Sequence, residues 1–140
     1  MTANAKLAIP VIWGLAGALL IKLWSAWSEL PERVAVHFGL TMQPNGWSSR
    51  NTMAVSVVLT LLGQATLATW LILRISGAGN VIAVVQLVVS VVLVSTFWQM
   101  INFNAKGLPL RPVWILALMA LLFAAIAVLM VRTMFHLSRP

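Results

Sequence analysis

The segment VIAVVQLVVSVVLVSTFWQMI, residues 81–101, is an apolar run without a charged side chain, and it decides the fold of the chain. A transmembrane helix needs about 20 mostly apolar residues to cross a hydrocarbon core of roughly 30 Å. This run meets that length. We therefore predict that it is a membrane-spanning helix.

Three further windows have the same character: residues 7–27, 52–73 and 113–135. Of the 140 residues, 61% are hydrophobic and 8% are charged, whereas soluble domains have about 45–50% apolar and about 25% charged residues. The sequence predicts one all-α integral membrane domain over residues 1–140. It is an up-and-down four-transmembrane-helix bundle with one long structured loop, residues 28–51, between helices 1 and 2.

The charge of the chain is strongly positive, with nine Lys and Arg against Glu29 and Glu32. The basic residues stand singly at the edges of the apolar runs, where they can reach anionic headgroups. They form no stripe of the kind that binds nucleic acid. We expect the lipid bilayer as the environment and no nucleic-acid partner. Basic residues are similarly frequent at both ends of the spans, so charge does not fix the orientation.

Small and polar residues recur at helical spacing within the spans. In lipid, small residues let helices approach closely, and polar side chains form interhelical hydrogen bonds worth about 0.6 kcal/mol each. We expect Gln64 to make such a bond to the third helix, with a substrate pathway as the alternative. The predicted helix-packing residues are Gly14, Ala18, Thr60, Gln64, Gln86, Ser90, Ala120 and Ala124.

The loop SELPERVAVHFGLTMQPNGWSSRN, residues 28–51, concentrates both carboxylates, a histidine and a Pro-Asn-Gly signal. We expect Asn45-Gly46 to form a turn, since these residue types favour turns. Ser48 or Ser49 can cap the second helix. The alternating apolar residues of 34–38 predict a short extended piece.

His37 has two functional interpretations: a metal ligand together with Glu29 and Glu32, or a pH-sensing group. A structural zinc site requires four ligands, and the sequence offers no second histidine nearby. We predict no metal and no cofactor. In the structural interpretation the imidazole binds the loop backbone, while Phe38 and Trp47 pack against the helix ends.

Four short motifs carry a family resemblance. They are Leu30-Pro31, His37-Phe38, Asn45-Gly46-Trp47 and Ser49-Arg50. Their order and spacing resemble the loop of the DUF1648-type module, a small membrane module found at the N-terminus of SdpI-type immunity and signal-transduction proteins. The resemblance covers about the first half of the chain by motif and the rest by hydropathy. It implies a bacterial inner membrane protein with cytoplasmic termini and an extracytoplasmic loop.

The chain also departs from the family pattern at four positions. Ala35 stands where the family usually has proline, Met42 where it has glycine, Asn45 where it has aspartate, and Arg50 where it has lysine. Asn45 provides no carboxylate for a cation at that position.

The sequence contains no G-x-S-x-G, H-E-x-x-H or phosphate-binding glycine loop, and no Asp, Glu or His inside a predicted span. We therefore expect no enzymatic activity. The resemblance implies an immunity or signal-transduction protein whose loop binds a peptide, lipid or protein partner, and the alternative is an accessory subunit of a larger membrane complex. The predicted partner-binding residues are Leu30, Pro31, His37, Phe38, Asn45, Gly46, Trp47 and Arg50.

Overall fold

The computed structural model describes residues 3–39, 41–75 and 79–111, together with 117, 119–120 and 123–124. The elements in these ranges, in chain order, are α1 (Ala3–Ala26), a 3-10 turn (Trp27–Glu29), β1 (Arg33–Phe38), β2 (Pro44–Ser49), α2 (Arg50–Arg74) and α3 (Gly79–Lys106). The two strands form a hairpin between the first two long helices.

Three helical segments in this part of the chain are long and apolar enough to cross a membrane: Lys6–Glu29, Arg50–Arg74 and Asn80–Lys106. They confirm the first three predicted spans and indicate a membrane protein. The fourth predicted span, 113–135, lies outside the described residues except for 117, 119–120 and 123–124, which are helical. The four-helix bundle therefore stays a prediction.

Two buried clusters show how the three long helices are arranged. In the first, Ile12 of α1 joins Ile72, near the end of α2, and Ala83, near the start of α3. The second cluster joins the later part of α1 to the start of α2 and the end of α3. Helix α2 is therefore antiparallel to α1 and α3. The second cluster includes Leu19, Leu23, Met53, Val57, Leu61, Met100 and Ile101.

Polar side chains within the spans bond to one another across helices. Gln64 Nε2 donates to Gln86 Oε1 at 3.2 Å, which joins α2 to α3 as the sequence suggested. The Ser90 hydroxyl lies 3.2 Å from Gln64 Oε1 and 2.8 Å from the Gln86 carbonyl. Trp13 Nε1 donates to Thr69 Oγ1 at 3.0 Å and joins α1 to α2. Such pairing is needed because hydrocarbon offers these groups no other partner.

Other residues predicted to pack are instead exposed. Gly14 and Ala18 lie on the exposed side of α1, and Thr60, Ala120 and Ala124 are exposed as well. Successive residues of a helix are about 100° apart, so Gly14 points nearly opposite to the buried Ala16. The packing role of these small residues therefore stays a prediction.

The 28–51 segment is largely a β-hairpin, so the all-α prediction is wrong there. The extended piece predicted over 34–38 lies within β1, and Ser49 caps α2 by accepting from the Thr52 backbone N–H at 3.1 Å. Helix α3 continues to Lys106 rather than ending near residue 101. Its added turn contacts the hairpin, which a prediction based on hydropathy could not anticipate.

Candidate functional site

The hairpin is antiparallel and contains two compensating irregularities. Val36 on β1 has no paired residue on β2, and Asn45 on β2 has no paired residue on β1. Each strand therefore contains one extra residue, and the two extra residues compensate for each other. Such bulges re-aim nearby side chains. The register pairs Arg33 with Ser49, Val34 with Ser48, Ala35 with Trp47, His37 with Gly46 and Phe38 with Pro44.

Asn45 and Gly46 lie within β2 rather than at the turn of the hairpin, which comes between Phe38 and Pro44. The Met42 N–H donates to the Gly39 carbonyl at 2.9 Å, and the Gly39 N–H donates to the Gln43 carbonyl at 2.9 Å. Met42 has a φ of 59°, in the left-handed region that glycine adopts most easily. The predicted turn is wrong because glycine also serves at bulges inside strands.

Arg50 fixes the root of the hairpin, which is the point where residues 27–32 meet the start of α2. Its Nη1 donates to the carbonyls of Trp27 at 3.2 Å and Leu30 at 3.0 Å. Its guanidinium carbon lies 4.7 Å from the centroid of the Trp27 ring. The Arg50 backbone N–H donates to the Glu32 carbonyl at 2.9 Å. A helix leaves its last carbonyls without partners and favours a cation there, so this side chain joins the end of α1 to the start of α2.

Asn104 on α3 fixes the outer edge of β1. Its Oδ1 accepts from the Ala35 backbone N–H at 2.7 Å, and its Nδ2 donates to the Ala35 carbonyl at 2.9 Å. The side-chain amide thus bonds the strand as a neighbouring strand would. Phe38 and Phe103 meet edge to face with centroids 5.1 Å apart. The hairpin is therefore attached to the last turns of α3.

The His37-Asn45-Gly46 cluster fixes the middle of the hairpin. His37 Nδ1–H donates to Asn45 Oδ1 at 2.6 Å, whereas the sequence predicted a backbone partner. A Cβ added at Gly46 would lie 2.7 Å from His37 Cβ, so the close approach of the two strands requires glycine there. His37 is not grouped with Glu29 and Glu32 as a metal site in the described ranges.

The outward face of the hairpin presents Trp47 and Arg33. Trp47 is 52% exposed, whereas the sequence predicted that it packs against the helix ends. Arg33 is also exposed. A shallow cleft of about 280 Å³ lies beside these two residues. Arg33 was missed because the second strand was missed. Trp47 pairs directly with Ala35 across the two strands. Arg33 lies two positions before Ala35 and is therefore the diagonal neighbour of Trp47.

The predicted loop residues thus divide into three groups. Three of them face the bundle, three contact one another within the hairpin, and the other two are exposed. His37 and Asn45 of the second group are exposed as well. The groups are Leu30, Phe38 and Arg50, then His37, Asn45 and Gly46, then Pro31 and Trp47.

In a comparison with protein families, residues 13–62 match the family described as a domain of unknown function, DUF1648. Residues 13–62 therefore form a DUF1648-type region of the chain. The match begins in α1, includes the whole hairpin and ends within α2, which confirms the resemblance carried by the loop motifs. No curated protein and no solved structure matches the chain significantly. The SdpI-type context of this DUF1648-type region stays a prediction.

Removing the Asn104 amide should loosen the hairpin. Asn104→Ala leaves both backbone groups of Ala35, which is fully buried, without their partners, and each such loss costs about 1–3 kcal/mol. We expect hydrogen exchange at the Ala35 amide to accelerate by at least about tenfold. Asn102→Ala, on the same helix but not bonded to β1, is the matched control. Equal protection of Ala35 in the two variants would contradict the attachment.

Adding a methyl group at Gly46 should disrupt the hairpin because its Cβ would clash with His37 Cβ. We expect Gly46→Ala to lower the thermal unfolding temperature in detergent, with a loss of roughly 1–3 kcal/mol. His37→Ala keeps the clashing Cβ and should not rescue this variant, whereas His37→Gly should. Gly39→Ala meets only ordinary contacts and is the control. Rescue by His37→Ala would show that the imidazole, and not the strand spacing, is the constraint.

Proposed function

We propose that this chain is a non-enzymatic protein of the bacterial inner membrane, of the immunity or signal-transduction type. In this proposal its hairpin face binds a protein or peptide partner. The observation that carries the proposal is the exposure of Trp47 beside Arg33 on a hairpin that is fixed at its root, edge and middle. A fixed surface loses little conformational freedom when a partner binds.

The chemistry of this face suggests the kind of partner. Tryptophan and arginine are over-represented among residues that dominate binding energy at interfaces. The cleft beside Arg33 and Trp47 suits an apolar side chain, and the exposed guanidinium suits a carboxylate. A peptide segment with an acidic residue next to an aliphatic or aromatic one combines both groups.

Two polar side chains of the hairpin contribute to the fixed shape on which the proposed binding role depends. His37, its only histidine, donates from Nδ1 to Asn45 Oδ1 at 2.6 Å and so joins the two strands. The Ser49 hydroxyl caps α2 and interacts with Thr52, 2.8 Å away. Both side chains make contacts that stabilise the local structure.

A second candidate function is an accessory subunit of a larger membrane complex. The observation that favours it is the exposed small-residue side of α1, where a Cβ added at Gly14 or Gly17 would have no neighbour within 4 Å. Ala18 is exposed on the same helix. Small residues allow a further helix to approach closely.

Site-specific photocrosslinking in cells can test both functions with the full chain. A photoreactive phenylalanine analogue replaces Trp47, Ala18 or Trp24 in separate variants. Trp24 is 84% exposed near the end of α1 and serves as the lipid-facing control. We expect a discrete protein adduct from position 47, and we expect Arg33→Gln in the same chain to reduce its yield several-fold.

The positions that react distinguish the two functions. A protein adduct from position 18 with none from position 47 would favour the accessory subunit and overturn the role of the hairpin. Adducts with lipid alone at position 47, matching those at position 24, would show that Trp47 is an interfacial anchor.

The orientation implied by the resemblance places the hairpin outside the cytoplasm, and single-cysteine labelling tests it. The chain has no native cysteine. Thr41→Cys, on the exposed turn, should react with a membrane-impermeant maleimide added to intact cells. Ile75→Cys, at the opposite end of α2, should react only after the membrane is opened. The reverse pattern would place the hairpin in the cytoplasm.

A further inference from the structure

A cavity of about 430 Å³ lies beside the last turns of α3, away from the outward face of the hairpin. The segment that follows α3 forms its second wall. The described lining is apolar at Val94, Trp98 and Leu108, and polar at Gln99, Asn102 and Arg111. This mixture suits a ligand with an apolar part and a polar part.

The cavity is built by a defined turn of the chain. Helix α3 ends where Gly107 adopts a φ of 65°, with its N–H donating to the Phe103 carbonyl at 2.9 Å. A left-handed glycine is a common way to end a helix and redirect the chain. The Arg111 backbone N–H then donates to Gln99 Oε1 at 2.6 Å. This bond holds the returning segment against the helix.

The charge around the cavity is positive. Arg111 lines it and is exposed, and Lys22 Nζ of α1 lies 5.3 Å from the ring centroid of Trp98, another lining residue. Neither Glu29 nor Glu32 is among its described lining residues. The site therefore favours a negatively charged group.

The cavity also lies at the depth where lipid headgroups are expected. It borders the second half of the apolar span Asn80–Lys106, near the end marked by Trp98. Indole rings at span ends favour the boundary between headgroups and acyl chains. A ligand here would reach its charged part toward Arg111 and its apolar part along Val94.

We propose that this cavity binds an anionic phospholipid. The phosphate interacts with Arg111 and Lys22, the amides of Gln99 and Asn102 face the glycerol region, and the first methylenes of an acyl chain follow Val94. Its volume lies within the range of small-ligand sites, about 300–1,000 Å³, and accommodates a headgroup region rather than a whole lipid. This site is separate from the hairpin face and does not depend on its function.

Native mass spectrometry of the delipidated full chain tests the assignment. The protein is titrated with phosphatidylglycerol and, separately, with phosphatidylcholine. One phosphatidylglycerol should bind at least about fivefold more tightly than phosphatidylcholine, since one basic residue near a headgroup contributes about that factor. Arg111→Gln should weaken phosphatidylglycerol binding about fivefold, and Lys22→Gln should add to this effect.

Two further variants distinguish a built site from diffuse attraction. Lys106→Gln removes another exposed charge, outside the described lining, and should leave the affinity unchanged. Gln99→Leu keeps both cations but releases the returning segment, and it should weaken binding. Equal losses in Lys106→Gln and Arg111→Gln, or equal binding of the two lipids, would overturn the proposal. Inorganic phosphate that binds the lipid-free protein as tightly as phosphatidylglycerol does would reassign the cavity to free phosphate.

Discussion

The contact of Arg50 with the end of α1 is the constraint on which the hairpin depends. The Trp27 and Leu30 carbonyls accept from one guanidinium nitrogen, while the Trp27 ring lies against the same group. At a helix end near the membrane, unpaired carbonyls are costly because water is scarce. A lysine there would present a single nitrogen without the planar surface that stacks on an indole. The guanidinium therefore fixes both ends of the 28–51 segment at one point.

With its root fixed, the hairpin still needs the bundle, because an isolated two-stranded sheet is marginally stable. Val34 supplies the apolar contact by entering the cluster that joins the three helices. Asn104 supplies the polar contact by pairing with both backbone groups of Ala35. An exposed strand edge tends to pair with other chains. At Ala35 the protein covers that edge with the side chain of its own Asn104.

The features with strong local signals were predictable, and those set by contacts distant in sequence were not. Three spans followed from hydropathy, and β1 followed from its alternating residues. Strand β2, Pro-Asn-Gly-Trp-Ser-Ser, has a composition typical of loops and becomes a strand because β1 pairs with it. The motifs found His37, Asn45, Gly46 and Trp47 but gave most of them the wrong contacts. Asn104 carried no signal, because it looks like any polar residue after a span.

The contacts of the hairpin explain how the chain accommodates its departures from the family pattern. A proline at position 35 would have no N–H to donate to Asn104 Oδ1. The hydrogen bond between β1 and α3 therefore depends on alanine at position 35 together with asparagine at position 104. Asn45 retains an acceptor for His37 without the charge of an aspartate. Met42 occupies a left-handed position where glycine would be less strained, a cost of roughly 1–2 kcal/mol. The hairpin tolerates that cost because Arg50, Asn104 and Gly46 already determine its shape.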